Sequence, residues 1–268
     1  MCLIAIAIAS HPDYPLIIAA NRDEFYSRPT AALAYWDDHP DILAGLDLES
    51  RGTWLGVTRS GKIGAVTNFR DPAALTPWGK SRGQLVRDYL AADQAPGEYL
   101  AAVEAQKDSY TGFNLVVGNT GEIWWYSNKN GGKVKLPAGI HGISNHLLNT
   151  PWPKVEAVRH KLHDLIQGSR AIAPYSVLDL LFDRTVYPDH KLPCTGVGPE
   201  WERRLSPIFV SSPNYGTRSS SVILVEASGR LVFCERTFSN DRGIPVAGNT
   251  RCFEIQLPEK PSIQNPGD

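Results

Sequence analysis

The opening stretch constrains this chain more than any other. Cys2 is followed by an unbroken apolar run, Leu3 to Ala9, and a second run, Pro15 to Ala20, ends in Asn21-Arg22-Asp23-Glu24. Short continuous apolar runs bounded by turn residues read as fully buried strands, and His11-Pro12-Asp13 supplies the turn. In an antiparallel hairpin the start of one strand lies beside the end of the next. The reading therefore brings a thiol, a guanidinium and two carboxylates to one end of a sheet.

Cys2 admits two readings. Free cysteine is among the most buried residue types, so it can be a small apolar residue at a strand start. It can also be a nucleophile: removal of Met1 would place an α-amine on the residue that carries the thiol. Such an amine titrates near neutrality and can serve as base. A neighbouring Arg22 would favour the thiolate.

Charge and cysteine usage narrow the classes. A formal net charge of -1 over 268 residues gives no electrostatic case for nucleic acid or an anionic membrane. Leu3 to Ala9 is too short to span a bilayer and lacks the basic leader of a signal peptide. Cys2, Cys194, Cys234 and Cys252 show no C-x-x-C spacing, hence no zinc or redox-pair signal. The expectation is a cytoplasmic protein with reduced thiols and no metal site.

Along the chain, Arg28 to Asp41 reads as a polar loop. Trp54 to Thr58 and Ile63 to Thr67 form a hairpin turned by Arg59-Ser60-Gly61-Lys62. Gly52, Gly56 and Gly64 signal bulges or close backbone approach. Ser81 and Pro96 open helices carrying Leu85, Val86, Tyr89, Leu90 and then Tyr99, Leu100, Val103. Strands follow at Phe113–Val117, Glu122–Tyr126 and Lys133–Leu136, with a turn at Asn130-Gly131-Gly132. The stretch from His141 reads as a loop. Val155 to Ile166 and Tyr175 to Phe182 read as helices, and the proline-rich stretch Asp183 to Ser206 as a surface loop or lid. Ile208–Val210, Ser221–Glu226, Arg230–Glu235 and Cys252–Leu257 complete the strands.

Strands joined by hairpins, alternating with helix pairs, predict an α+β fold. Two mainly antiparallel sheets stacked face to face, each covered outside by helices, make a four-layer α/β/β/α sandwich. The reading is one domain over residues 1–268, with 258–268 as a frayed tail.

Met1-Cys2, Asn21-Arg22-Asp23-Glu24, Arg51-Gly52-Thr53-Trp54-Leu55-Gly56 and Thr67-Asn68-Phe69-Arg70, in that order, resemble the NRDE family, that of the transport and Golgi organisation 2 proteins. The family in turn resembles N-terminal-nucleophile hydrolases of the penicillin V acylase, bile-salt hydrolase and acyl-CoA:6-aminopenicillanate acyltransferase type. That likeness implies the same sandwich, with Cys2 as nucleophile. It implies Arg22 and Arg218 as thiolate and substrate partners, Asp23 or Glu24 as the group orienting the amine, Asn68 at a strand end and Asn145 as an oxyanion donor. Each also has a structural role open to it: an ion pair for Arg22, loop backbone for Asn68 and Asn145, a strand-leading charge for Arg218. The flanking His141 and His146 read as loop residues.

The resemblance implies haem binding and trafficking, with haem as cargo and apo-haemoproteins as recipients. The alternative is a Cys2-dependent amidohydrolase or acyltransferase acting on C–N bonds of a small acylated compound, needing no cofactor. A scaffold role remains if the pocket is inert. No C-x-x-C-H occurs, and Cys194 follows Pro193 instead of preceding a proline, so no haem-attachment or Cys-Pro motif names an iron ligand.

Overall fold

The computed structural model describes residues 2–72, 79–129 and 132–258. The expectations about Met1, about Asn130 and Gly131 in the turn, and about the tail from Glu259 lie outside the described residues.

The hairpin forms as its sequence dictates. Strand β1, Cys2–Ile8, pairs antiparallel with β2, Leu16–Phe25, in a register that sets Cys2 opposite Arg22 and Leu3 opposite Asn21. Alternation sorts the side chains. Cys2, Ile4 and Ile6 join the core between the sheets, while Leu3, Ala5 and Ala7 join a second core under helices.

This hairpin is the middle of a six-stranded sheet. Its neighbours are β10, Gly139–Ile143, on one side, and β11, Tyr215–Val225, β12, Arg230–Asp241, and β13, Ile244–Gln256, on the other. The second sheet has seven strands in sequence order: β3, Thr30–Tyr35; β4, Ile42–Asp47; β5, Leu55–Thr58; β6, Lys62–Asn68; β7, Phe113–Asn119; β8, Glu122–Ser127; and β9, Lys133–Lys135. Every pairing in both sheets is antiparallel.

Helices α1, Arg82–Ala91, and α2, Pro96–Ala105, cover the outer face of the second sheet. Helices α3, Pro153–Gly168, and α4, Pro174–Leu180, cover the outer face of the first. The order of layers is the predicted α/β/β/α sandwich. Helix α1 buries the expected Leu85, Val86, Tyr89 and Leu90, and α3 buries Val155, Val158, Leu162 and Ile166.

The glycine signals mark close approach. Gly56 and Gly64 face each other across β5 and β6 beneath α1. A Cβ on Gly56 would lie 2.8 Å from Leu90, and one on Gly64 would lie 3.0 Å from Val86. At Gly52 a Cβ would lie 2.5 Å from the Gly83 backbone, so the loop before β5 touches the first turn of α1.

Several expectations need correction. Arg28 to Asp41 is not all loop, since β3 lies in it as an edge strand whose pairing shifts register between Ala31 and Ala34. The stretch from His141 carries most of β10, whose two glycines hide its β character. Ile208–Val210 is no strand; it is buried coil, and Phe209 donates its amide to Asp183 O at 2.7 Å. The lid stretch contains a short helix, α5, Pro199–Arg204. Cys234 and Cys252 are joined in a disulfide, not reduced. Among the described residues no helix is long and apolar enough to cross a membrane.

Candidate functional site

The β1–β2 register places the Cys2 thiol and the Arg22 guanidinium on the same face of the first sheet, at its end. Both line a cleft of about 890 Å³ between the two sheets. Its walls also take Asp47 from the end of β4, Asn68 from the end of β6, Gly79 to Gly83 leading into α1, and Arg218 and Glu235 from β11 and β12. The apolar lining is Leu46, Trp54, Val66, Phe69, Val197 and Phe238.

Burial pushes the Cys2 thiol above its ordinary pKa, against the pull of Arg22 and of the Asp23 backbone amide. Arg22 is 8% exposed. Its Nη2 lies 3.4 Å from Asp47 Oδ2 and 3.9 Å from Glu24 Oε2, while Nη1 is buried without a hydrogen-bond partner. Asp47 is the hub the sequence reading missed. It accepts from Arg28 Nε at 2.6 Å and Nη2 at 3.1 Å, and from the Glu49 and Ser50 amides. Burial alone would raise its pKa, but these donors hold the carboxyl below its usual range.

Arg82, also missed, lines the cleft from the first turn of α1. Among the described residues its guanidinium gives one hydrogen bond, to Gly112 O at 3.3 Å, and makes no ion pair with a carboxylate. Burial lowers its pKa, and a thiolate at Cys2 would pull it back up. A cation in a first helical turn opposes the helix dipole, and that misplacement was the signal available in the sequence.

Asp23 alternates to the opposite face from Arg22. It is 1% exposed and accepts from Thr217 Oγ1 at 2.7 Å. Burial raises its pKa, and Lys154 and Thr217 pull it back. Lys154, in the first turn of α3, is 2% exposed, and its Nζ has no hydrogen-bond partner. Burial drives its pKa down to about 8, with the Asp23 charge resisting. Beside them Arg70 Nη1 donates to Glu202 Oε2 at 2.6 Å, both side chains being buried, and the Arg70 guanidinium lies over Trp152. Glu202 also accepts from the Thr195 amide and hydroxyl, so this ion pair fastens the α5 segment to the sandwich.

Asn145 sits at the same end of the molecule but is not in the cleft lining. It is fully buried; its Nδ2 donates to Asn68 O at 3.1 Å, its Oδ1 accepts from Ser144 Oγ at 3.2 Å, and its carbonyl accepts from the Arg70 amide. Asn68 itself lines the cleft. Arg218 is the extra residue of a β-bulge, between Thr217 opposite Asp23 and Ser219 opposite Arg22. Its Nη1 donates to the carbonyls of Phe25, Tyr26 and Arg28. Five of the six anticipated residues, Cys2, Arg22, Asp23, Asn68 and Arg218, line the cleft and Asn145 lies behind Asn68, with the Asn145 amide and the Arg218 guanidinium engaged by backbone carbonyls. His141 and His146 bond Pro137 O and Thr150 Oγ1. No cluster of three or more His, Cys, Asp or Glu able to hold a metal occurs among the described residues.

Fold and site together define a class: a four-layer sandwich whose central strand starts with a cysteine opening on a charged, partly apolar cleft. Residues 1–240 match the family described as Transport and Golgi organisation 2, and the chain belongs to that family. It is 32% identical over 276 residues to the mouse Transport and Golgi organization 2 homolog, covering 96% of this chain and 100% of that one. It is 34% identical over 277 residues to the human protein, covering 96% and 99%. Among solved structures, the Caenorhabditis elegans N-acylethanolamine-hydrolyzing acid amidase ortholog aligns at a TM-score of 0.49 and 11% identity, over 84% of this chain and 92% of that one.

Proposed function

We propose that the cleft binds a small amphipathic molecule that carries carboxylates on an apolar body, and that haem is its cargo, held for transfer to apo-haemoproteins in the cytoplasm. One observation carries this reading: two guanidiniums with unspent donors, Arg22 and Arg82, flank an apolar-walled space of about 890 Å³. A planar ring would lie against Trp54, Val66 and Leu46, and its propionates would meet the guanidiniums, whose planar fork suits carboxylates. Haem iron takes His, Cys, Tyr or Met as axial ligand. Among the described residues of the cleft lining, Cys2 is the only side chain of those types. The residues present thus fit a haem held mainly by its edges and face, with Cys2 as its iron ligand once binding has displaced the thiol proton. Loose holding suits a carrier, which must release what it binds.

The test is a haem titration followed in the Soret band. Saturable one-to-one binding is expected, with a Soret position that moves in Cys2→Ala. Absence of saturation with folded protein would sink the proposal.

A second reading, acyl transfer through Cys2, draws on the thiol's position on the cleft wall opposite Arg22. The thiolate would attack a carbonyl carbon and a water or amine would release the acyl group. One feature weighs against it: the Asn145 amide already serves the Asn68 carbonyl. An acyl mass on Cys2 after incubation with acylated amino acids, acyl-CoA or β-lactams, lost in Cys2→Ala, would favour this reading over the carrier.

A further inference from the structure

Cys234 and Cys252 stand directly opposite each other on β12 and β13, with Cα atoms 4.1 Å apart. That spacing belongs to a non-hydrogen-bonded antiparallel pair. The sheet itself, not a loop, brings the two sulfurs together. Their surroundings differ. Cys234 is 0% exposed and packs in the core under α3 and α4, among Val222 and Val232. Cys252 is exposed on β13, the edge strand of its sheet.

We propose that this bridge is a thiol-exchange site, opened from the Cys252 side by a small thiol of the glutathione class, and that it tightens the wall of the ligand cleft. The incoming thiolate attacks Cys252 Sγ. A sulfur–sulfur bond forms between the thiol and Cys252, the Cys234–Cys252 bond breaks, and its electron pair leaves on Cys234, which takes up a proton. Re-closure is the reverse exchange: Cys234 gives up its proton, its sulfur attacks Cys252 Sγ, and the small thiol leaves when free thiol is withdrawn. Attack on Cys234 is blocked by its burial.

The link to the cleft is one residue long. Glu235 follows Cys234 on β12, lines the cleft, and accepts the Leu33 amide of β3 at 2.8 Å, tying the two sheets together. Thr237 and Phe238, further along β12, line the same wall. The β12–β13 pairing slips register between Arg236 and Phe238, so the ladder is weakest just past the bridge. With the bridge closed, the wall is stapled on the near side of that irregularity. With it open, β13 keeps its anchor at Ile255, and Leu257 just past its end stays in the core, so the fold persists.

The experiment uses the full chain carrying Cys194→Ser, which removes an exposed free thiol. Protein is incubated with reduced glutathione, quenched with iodoacetamide and mapped by peptide mass spectrometry. Glutathione on Cys252 with carbamidomethyl on Cys234 is expected, and Cys252→Ser should acquire no glutathione. Amide exchange across 235–241 should speed up several-fold in the glutathione-treated protein and equally in Cys252→Ser. A bridge that resists glutathione in the folded protein, glutathione found on Cys234, or unchanged exchange across 235–241 would each overturn the proposal.

Discussion

Cys2 and Arg22 face each other across the first two strands, and both open on the cleft. The pairing register alone enforces this, so whatever the cleft holds meets a thiol and a guanidinium together. Arg22 reaches Asp47 and Glu24 only at 3.4 and 3.9 Å and keeps Nη1 unspent.

That free donor makes Arg22 the first residue to test. A charge-assisted hydrogen bond contributes about 1.5–3 kcal/mol. Arg22→Met should therefore weaken binding of a carboxylate-bearing ligand by about 10- to 100-fold. Parallel titrations of both proteins check this. Equal affinities would show that the ligand's charge is met elsewhere.

The Arg70–Glu202 pair should matter to stability. Removing one partner of a buried pair costs about 3–5 kcal/mol, because the other charge stays buried alone. Urea unfolding of Arg70→Ala should show a loss of that order. The double variant Arg70→Met with Glu202→Leu should lose less than either single change. Thr195 would still lose its acceptor, so recovery should be partial.

Lys154 sets a stability change with pH. Its folded pKa, about 8, lies below the ordinary lysine value of 10.5. Below the folded value both states carry the proton, and the buried charge costs stability. Between about 8 and 10.5 the unfolded chain binds more protons than the folded one, so this contribution to stability rises with pH. The gain should approach about 3 kcal/mol at the top of the window. Subtracting the unfolding free energies of Lys154→Met from those of the unaltered protein at pH 7, 9 and 10 isolates it. A flat difference would mean that folded Lys154 keeps its proton over this range, as the unfolded chain does.

Gly52→Ala should be disruptive out of proportion to one methyl group. Its Cβ would lie 2.5 Å from Gly83 backbone, which has no side chain to swing aside. Overpacking of this kind costs about 1–3 kcal/mol. Because Arg82 and Gly83 line the cleft, ligand affinity should fall as well, and calorimetry with the altered protein measures both.

How much of this was legible in the sequence depended on whether a residue's surroundings are local. The hairpin and the Cys2–Arg22 pairing followed from two apolar runs and a turn. Helices α1 and α3 followed from their periodicity. Strand β10 did not, because its pairing with β1 comes from residues more than a hundred positions away and its own glycines disguise it. Arg218 was found as a residue but not in its grip on three carbonyls, since nothing local announces a bulge. The disulfide was hidden for a like reason: its 18-residue separation says nothing until the β12–β13 register is known. Arg82 and Lys154 were passed over although each is a cation in a first helical turn, the place where the dipole disfavours it.

The contact between Gly52 and Gly83 gives the cleft a fixed jaw. Backbone rests on backbone there, and the Thr53 N–H donates a hydrogen bond to Gly83 O at 3.1 Å, so α1 cannot retreat without breaking its seat. Across the opening, Val197 comes from a segment fastened by the buried Glu202. That side is a tethered jaw, moored through the Glu202 carboxylate, the buried Leu205 and the edge of Trp201 against Tyr215. A bulky guest would therefore press on side-chain moorings at this jaw and on main chain at the other.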